Sequence, residues 1–303
     1  MVVVVFGFWF GSQLVLRTQY PALAVVSTSM LPTLNVGDVI IVQGVPASEI
    51  KADYLTGDIV VFRSKTIPDY RIVHRAVRIQ YIDSGYLITT HGDNNPIGSE
   101  ERFDESYLIG KVVARIPYIG NFALFINALG NFYYFIIIII IIINILLSFT
   151  PTGEEKKAEE GTSREKKRLF EKLTLKTLFL IILNALLIGF LVFNLFGSFT
   201  FWQIGANPAQ YVTIRGMYSD LQYQANFGAQ GNSHNNVTAA FLSQGFMTYQ
   251  IDCLVNGSVR TGIPTFSWVQ ATILVLLLLD FWAVAKFLHL AKKIKQALKR
   301  NST

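Results

Sequence analysis

Three short segments carry residue types able to do acyl-transfer chemistry. The first, Ser27-Thr28-Ser29-Met30-Leu31-Pro32-Thr33-Leu34, sets hydroxyls beside a proline. Pro32 biases Leu31 away from the helical region. The segment therefore predicts an extended stretch or turn that can hold a serine hydroxyl rigidly. The second, Tyr70-Arg71-Ile72-Val73-His74-Arg75-Ala76-Val77, carries His74; the other histidines are His91, His234 and His289. An imidazole with an ordinary pKa near 6.5 suits a general base at neutral pH. The third, Thr89-Thr90-His91-Gly92-Asp93-Asn94-Asn95-Pro96, ends a strand pattern in turn formers and supplies Asp93. Singly, these are a Ser/Thr linker, a packed strand histidine and a simple turn. Jointly they supply a hydroxyl, a base to take its proton and a carboxylate to orient that base, and such triads occur in several chain orders.

The elements that must position these groups read as β. Short alternating or apolar runs recur at Val36–Val42, Asp58–Phe62, Arg71–Ile82, Tyr86–Thr90 and Ile109–Ile116. They are punctuated by Gly37, Gly57, Gly85 and Gly92. Strands of that length and spacing predict an antiparallel sheet or barrel-like domain over residues 18–120. Strand parity puts His74 on one face with Ile72 and Ala76.

Around this domain the chain is greasy. Of its 303 residues 51% are apolar and 15% charged, which puts the membrane ahead of an ordinary soluble enzyme. Four apolar stretches stand out. Residues 2–16 are short of the roughly 20 needed to span a bilayer, and Arg17 can snorkel at the far end. Residues 122–149 include eight consecutive isoleucines and end at Pro151. The other two run over 173–201 and 266–290, the last holding Asp280 in a setting that costs an acid dearly. The net charge of +6 concentrates at 156–176 and 286–300. Two basic segments flanking apolar ones fit cytoplasmic loops and argue against nucleic acid as a partner.

Alternation across the helices then gives a mainly β catalytic domain with about four transmembrane helices. The expected organisation is an N-terminal membrane helix (1–17), an extracytoplasmic β domain (18–120), a transmembrane helix (121–149), a charged cytoplasmic linker (150–172) and a further transmembrane helix (173–201). An extracytoplasmic β-rich region (202–264) and a last transmembrane helix with a basic cytoplasmic tail (265–303) complete it. Two glycosylation sequons, Asn236-Val237-Thr238 and Asn256-Gly257-Ser258, fall on the expected outer face. The single cysteine, Cys253, supports neither an internal disulfide nor a cysteine metal site. A transporter would show several intramembrane polar or broken helices, and only Asp280 offers that.

The segments resemble, in order, the boxes of the type I signal peptidase family. Ser29-Met30-Leu31-Pro32-Thr33-Leu34 with Gly37-Asp38 resembles its nucleophile box, and Gly57-Asp58-Ile59-Val60-Val61-Phe62 its next strand. Arg71-Ile72-Val73-His74-Arg75 is similar to its general-base box and Gly92-Asp93-Asn94-Asn95 to its last box. Gly110-Lys111-Val112-Val113 and Pro117-Tyr118-Ile119-Gly120 match the family's usual continuation beyond that box. One box is weak; five in order at sensible spacing, over about residues 10–120, are specific. Typical bacterial members have lysine where His74 stands, so the resemblance is to the Ser/His kind of archaea and the endoplasmic reticulum. It implies Ser29 as nucleophile and His74 as base. It further implies cleavage of preprotein signal peptides on the outer membrane face, with no metal and no organic cofactor. The expected location is the cell membrane, multi-pass, with lipid around the helices and membrane-protein partners reached through the C-terminal ones. The Ser/His kind usually has a second aspartate about six residues past the one in the Gly-Asp-Asn box, where this chain reads Ile97-Gly98-Ser99-Glu100-Glu101-Arg102-Phe103-Asp104. The third carboxylate thus stays open between Asp93, Asp104 and, after a local shift, Glu100 or Glu101. The oxyanion would be held by backbone N–H groups near Ser29, aided by Ser27.

Overall fold

In a computed structural model of the chain, the described residues are 2–67, 69–83, 85–128, 162–202, 211–227 and 237–300. The chain divides into two compact units, one of residues 1–133 and 196–267 and the other of 134–195 and 268–303.

The first unit begins with helix α1 (Val2–Leu16), about 22 Å long at 1.5 Å per residue and shorter than a hydrocarbon core. Arg17 ends it in a left-handed conformation (φ 53°), with the Thr18 N–H reaching back to the Gln13 carbonyl at 3.2 Å. Strand β1 (Ala22–Ala24) pairs antiparallel with β2 (Val39–Gln43). Next come β3 (Ile59–Arg63), β4 (Arg71–Ile82), β5 (Gly85–His91), β6 (Glu101–Asp104) and β7 (Leu108–Ile116). The antiparallel order runs β7-β3-β4-β5-β6, and β7 also carries β2. Strands β1 and β6 are additions to the runs legible in the sequence, both too short to show a period.

The sheet curls around β3, whose first four residues are all buried. Ile59 and Val61 enter one core cluster with Val25, Met30 and Leu34. Val60 and Phe62, on the opposite face, enter a second with Ile88 and Phe103. Two-sided burial explains why β3 reads as a continuous apolar run instead of an alternation.

Helix α2 (Ile119–Ala128) comes after β7. Residues 129–149 of the expected second transmembrane helix, and 150–161 of the charged linker, lie outside the described residues, as do Asn236 and His234. The chain re-enters the first unit through the ribbon β8 (Ser198–Trp202) and β9 (Tyr211–Arg215). Helix α4 (Met217–Ala225) comes next, then β10 (Val237–Gly245), β11 (Thr248–Val255), β12 (Ser258–Arg260) and β13 (Thr265–Phe266). Strand β13 joins β11 on one side and runs parallel to β7 on the other, with Thr265 opposite Arg115. The β10–β13 segment therefore continues the sheet that carries the family-like boxes, giving eleven strands in one sheet among the described residues. Asn256 turns between β11 and β12 with a left-handed φ of 50°.

The second unit holds most of α3 (Thr162–Phe196) and α5 (Trp268–Arg300). Within them, Thr177–Phe196 and Trp268–Lys286 are long and apolar enough to cross a membrane. The structure thus describes two candidate spans and the shorter apolar α1, where about four transmembrane helices were expected. Polar residues in the spans turn inward on their own helix: Asn184 donates to the Leu180 carbonyl and Thr272 to the Trp268 carbonyl. A helix in lipid has to satisfy its polar groups in this way. Asp280 is exposed on α5.

Candidate active site

Ser29 sits half-buried on a turn between β1 and β2. The turn is closed by the Leu31 N–H to the Thr28 carbonyl at 3.1 Å and the Leu34 N–H to the Met30 carbonyl at 2.9 Å. Met30 and Leu34, 2% and 0% exposed, plug it into the core. Burial of each contributes about 1.5–3 kcal/mol. The Gly-Asp-Asn-Asn turn grips the same backbone from the other side. The Asn94 N–H donates to the Ser29 carbonyl at 2.8 Å, and its side-chain amide to the Thr28 carbonyl at 3.1 Å. A Cβ on Gly92 would stand 2.8 Å from the Ser29 carbonyl oxygen, so only glycine permits this approach. Ser27 Oγ lies 3.2 Å from Ser29 Oγ, so two hydroxyls stand side by side on this turn.

His74, in mid-β4, is 5% exposed and tilts against the Phe62 ring, 6.4 Å between centroids. Ser29 and His74 line one cavity of about 230 Å3 together with Ala24, Val26, Ile72 and Glu101. Burial, with His91 adding to it, lowers the His74 pKa to about 4 against the opposing charge of Asp93. A neutral imidazole beside a serine can take its proton. Nδ1 of His74 is buried and has no hydrogen-bond partner among the described residues, so none of their carboxylates bonds that nitrogen.

Asp93 is fully engaged by other groups. Arg75 Nε and Nη2 each reach a different Asp93 oxygen at 2.8 Å, a two-point ion pair. Thr33 adds its hydroxyl at 2.5 Å. Burial pushes this carboxyl up, but Arg75, then Arg260 and Thr33, hold it down to about 2. Asp104 is exposed at the end of β6 and does not line the cavity. Glu100 accepts from the Tyr54 hydroxyl at 2.8 Å. Glu101, exposed at the start of β6, does line the cavity, and partial desolvation there raises its pKa. Of the four carboxylates open from sequence, Glu101 alone shares the cavity lining with Ser29 and His74, while Asp93 acts on His74 through its charge.

A second buried arginine completes the support. Arg115 on β7 donates through Nη1 to the Thr33 carbonyl at 3.1 Å. Its Nε lies 2.8 Å from Asp38, and its Nη2 2.8 Å from Asp220 on α4. Burial pushes the Asp38 carboxyl up to about 6 against the pull of Arg115. Sequence reasoning missed Thr33 and Arg115 as supports. Arg115 carried a signal, a charge inside the apolar run Val112-Val113-Ala114-Arg115-Ile116. Among the described residues no cluster of three or more His, Cys, Asp or Glu could hold a metal ion.

No family model matches the chain. The signal peptidase complex catalytic subunit SEC11 of Colletotrichum graminicola is 36% identical over 124 residues, covering 38% of this chain and 69% of that protein. SEC11 of Pyricularia oryzae is 34% identical over 122 residues, with 38% and 69% covered. SEC11C of Homo sapiens is 28% identical over 127 residues, with 39% and 64% covered. The chain thus spans about two thirds of the length of these relatives, and more than half of it has no counterpart in the matches. With the serine, the histidine and the Gly-Asp-Asn-Asn turn brought together in one fold, the chain belongs to the type I signal peptidase family, in its Ser/His branch of signal peptidase catalytic subunits.

Proposed function

We propose that Ser29 and His74 are the nucleophile and general base with which this peptidase removes signal peptides from secreted preproteins. The observation that carries the reading is the cavity lined by both residues, with the Ser29 backbone clamped by the Gly92–Asn95 turn. An extended substrate segment lies along the cavity between Ala24–Ser27 and Tyr70–Val73, where main-chain pairing to a strand edge supplies affinity. Ala24, Val26 and Ile72 leave room for small side chains before the cut. His74 takes the Ser29 proton as Oγ attacks the carbonyl. Protonated His74 then gives that proton to the leaving amine, and the acyl-enzyme is hydrolysed by a water that His74 activates. Ser27 is placed to help hold the oxyanion. Asp93 favours the charged imidazolium from a distance, through space and without a bond to Nδ1.

The two apolar helices, with α1 and the segment 121–149, make the chain a multi-pass membrane protein with the catalytic unit on the extracytoplasmic face. The basic linker and tail on the other side follow the positive-inside rule. Tethering raises the effective concentration of membrane-held preproteins, so weak binding suffices. The C-terminal helices are the surface for membrane-protein partners.

The test is cleavage of a membrane-reconstituted preprotein by the wild type, Ser29→Ala and His74→Ala. Loss by several orders of magnitude in both variants supports the assignment. Cleavage by Ser29→Ala at the wild-type rate ends it.

A further inference from the structure

The family resemblance ends near residue 120, yet the sheet does not. Both buried arginines of the catalytic segment finish in the lobe of residues 211–227 and 237–267. Arg75, which pins Asp93, also reaches the Thr261 carbonyl through Nη2 at 3.3 Å. Arg115 pairs with Asp220 through Nη2, and its backbone N–H donates to the Pro264 carbonyl at 2.9 Å. Asp220 is 0% exposed. Besides Arg115 it accepts from the Asn35 side-chain amide at 3.2 Å and from Gln224 at 3.3 Å. Asn35 closes the nucleophile segment, its backbone N–H donating to Asp38 at 2.8 Å, and Arg215 of the lobe donates to its side-chain oxygen at 3.3 Å. The Thr33 carbonyl, four residues from the nucleophile, hangs on the guanidinium that Asp220 holds.

We propose that the lobe of residues 211–227 and 237–267 is a built-in positioning element for the nucleophile turn, acting through Asp220. Asp220 does not line the cavity, so it is a positioning residue for the reaction and not a catalytic one. With the Asp220 charge removed, Arg115 is left to Asp38 alone, one end of its fork is released and the Thr33 carbonyl loses a fixed donor. A displacement of the turn by a fraction of an ångström suffices to cost rate, because attack needs Oγ, the imidazole and the carbonyl in line. Substrate affinity, set along the cavity walls, is not touched.

The proposal rests on Ser29 as nucleophile, and the experiment separates the two. Full-length wild type, Asp220→Asn, Asp38→Asn, their double variant, Asn35→Ala and Ser29→Ala are reconstituted in lipid. Their melting is followed beside steady-state preprotein cleavage over a range of substrate concentrations. The expected result for folded Asp220→Asn is a kcat at least tenfold down with KM within about twofold of wild type. Asn35→Ala severs the contact on the loop side and leaves the Arg115–Asp220 pair in place. It is expected to lose kcat in the same sense, and it decides the matter if Asp220→Asn does not fold. The double variant Asp38→Asn/Asp220→Asn is expected to fall short of the product of the single losses, since both acids act through one arginine. A wild-type kcat in the folded variant, or a loss carried by KM alone, overturns the proposal. Cleavage by Ser29→Ala would instead indict the nucleophile.

Discussion

Thr33 donates its hydroxyl to Asp93 across 60 positions of sequence, and this bond ties the Ser29 turn to the Gly-Asp-Asn-Asn turn. The carboxylate it meets is already paired with Arg75, both side chains being 3% exposed or less. Removing one partner of a buried pair leaves the other charged and unsatisfied, at a cost of about 3–5 kcal/mol. Asp93→Asn is therefore expected to lower stability by about that much. Thr33→Val, which removes one hydrogen bond to a charged acceptor, is expected to cost about 1.5–3 kcal/mol. Denaturation midpoints in detergent, compared with wild type, check both; an Asp93→Asn protein as stable as wild type would show that the Arg75 pair is not what holds this corner.

Catalysis by His74 needs the neutral ring. With the folded pKa lowered to about 4 by burial, His74 stays neutral as pH falls through 6.5, where an ordinary histidine would charge. The acid limb of kcat/KM is expected well below 6.5, near 4. His91 contributes to the lowering, so His91→Gln is expected to move the limb upward. The same shift has a stability consequence: the unfolded chain takes up the His74 proton first, so this contribution to stability is present above about pH 6.5 and is lost as pH falls toward 4. A limb that stays at 6.5 in the wild type would mean a solvated base.

Position in the fold separates Asp104 from Glu101. Asp104→Asn, at an exposed strand end, is expected to change activity less than twofold and stability by under about 0.5 kcal/mol. Glu101→Gln acts inside the cavity that Ser29 and His74 line, and is expected to lower kcat by about tenfold. Preprotein cleavage by the two variants at saturating substrate separates them; a severe loss in Asp104→Asn with Glu101→Gln intact would reverse the order.

The turn that carries Ser29 and the strand that carries His74 were legible because a hydroxyl beside a proline and a histidine on an apolar strand are local patterns, while their chemical roles came from the order of the family-like boxes. Strand β4 is legible to the residue, Arg71–Ile82, since a long two-faced strand repeats its period several times. The clamp behind them is different in kind. Asp220 meets Arg115 from 105 positions away and Asn35 from 185, and no local pattern encodes such a pairing. A composition rich in Gly, Asn and Gln gave 202–264 the look of a separate module. The short strand β13, two residues long, is what joins it to β7, and two residues carry no period at all. The orientation of Asp93 was also beyond sequence. The box places a carboxylate near the base, but Arg75, the very next residue after His74, captures it.

Membrane orientation can be read with one native background thiol. Cys253 is buried, and burial raises its pKa, so it is expected to react slowly with maleimides. Asn256 stands exposed at the β11–β12 turn of the catalytic unit, whereas Ser163 precedes the span at Thr177–Phe196 on the side of the basic linker. In sealed cells or oriented vesicles, an impermeant maleimide added outside is expected to label Asn256→Cys at once. Ser163→Cys is expected to label only after permeabilisation, since one span separates the two positions and charged residues resist transfer through lipid. Equal labelling of both before permeabilisation would mean that Thr177–Phe196 does not cross the bilayer. The reverse pattern would put the Ser29 cavity on the cytoplasmic face, where exported preproteins could not present their cleavage sites after translocation.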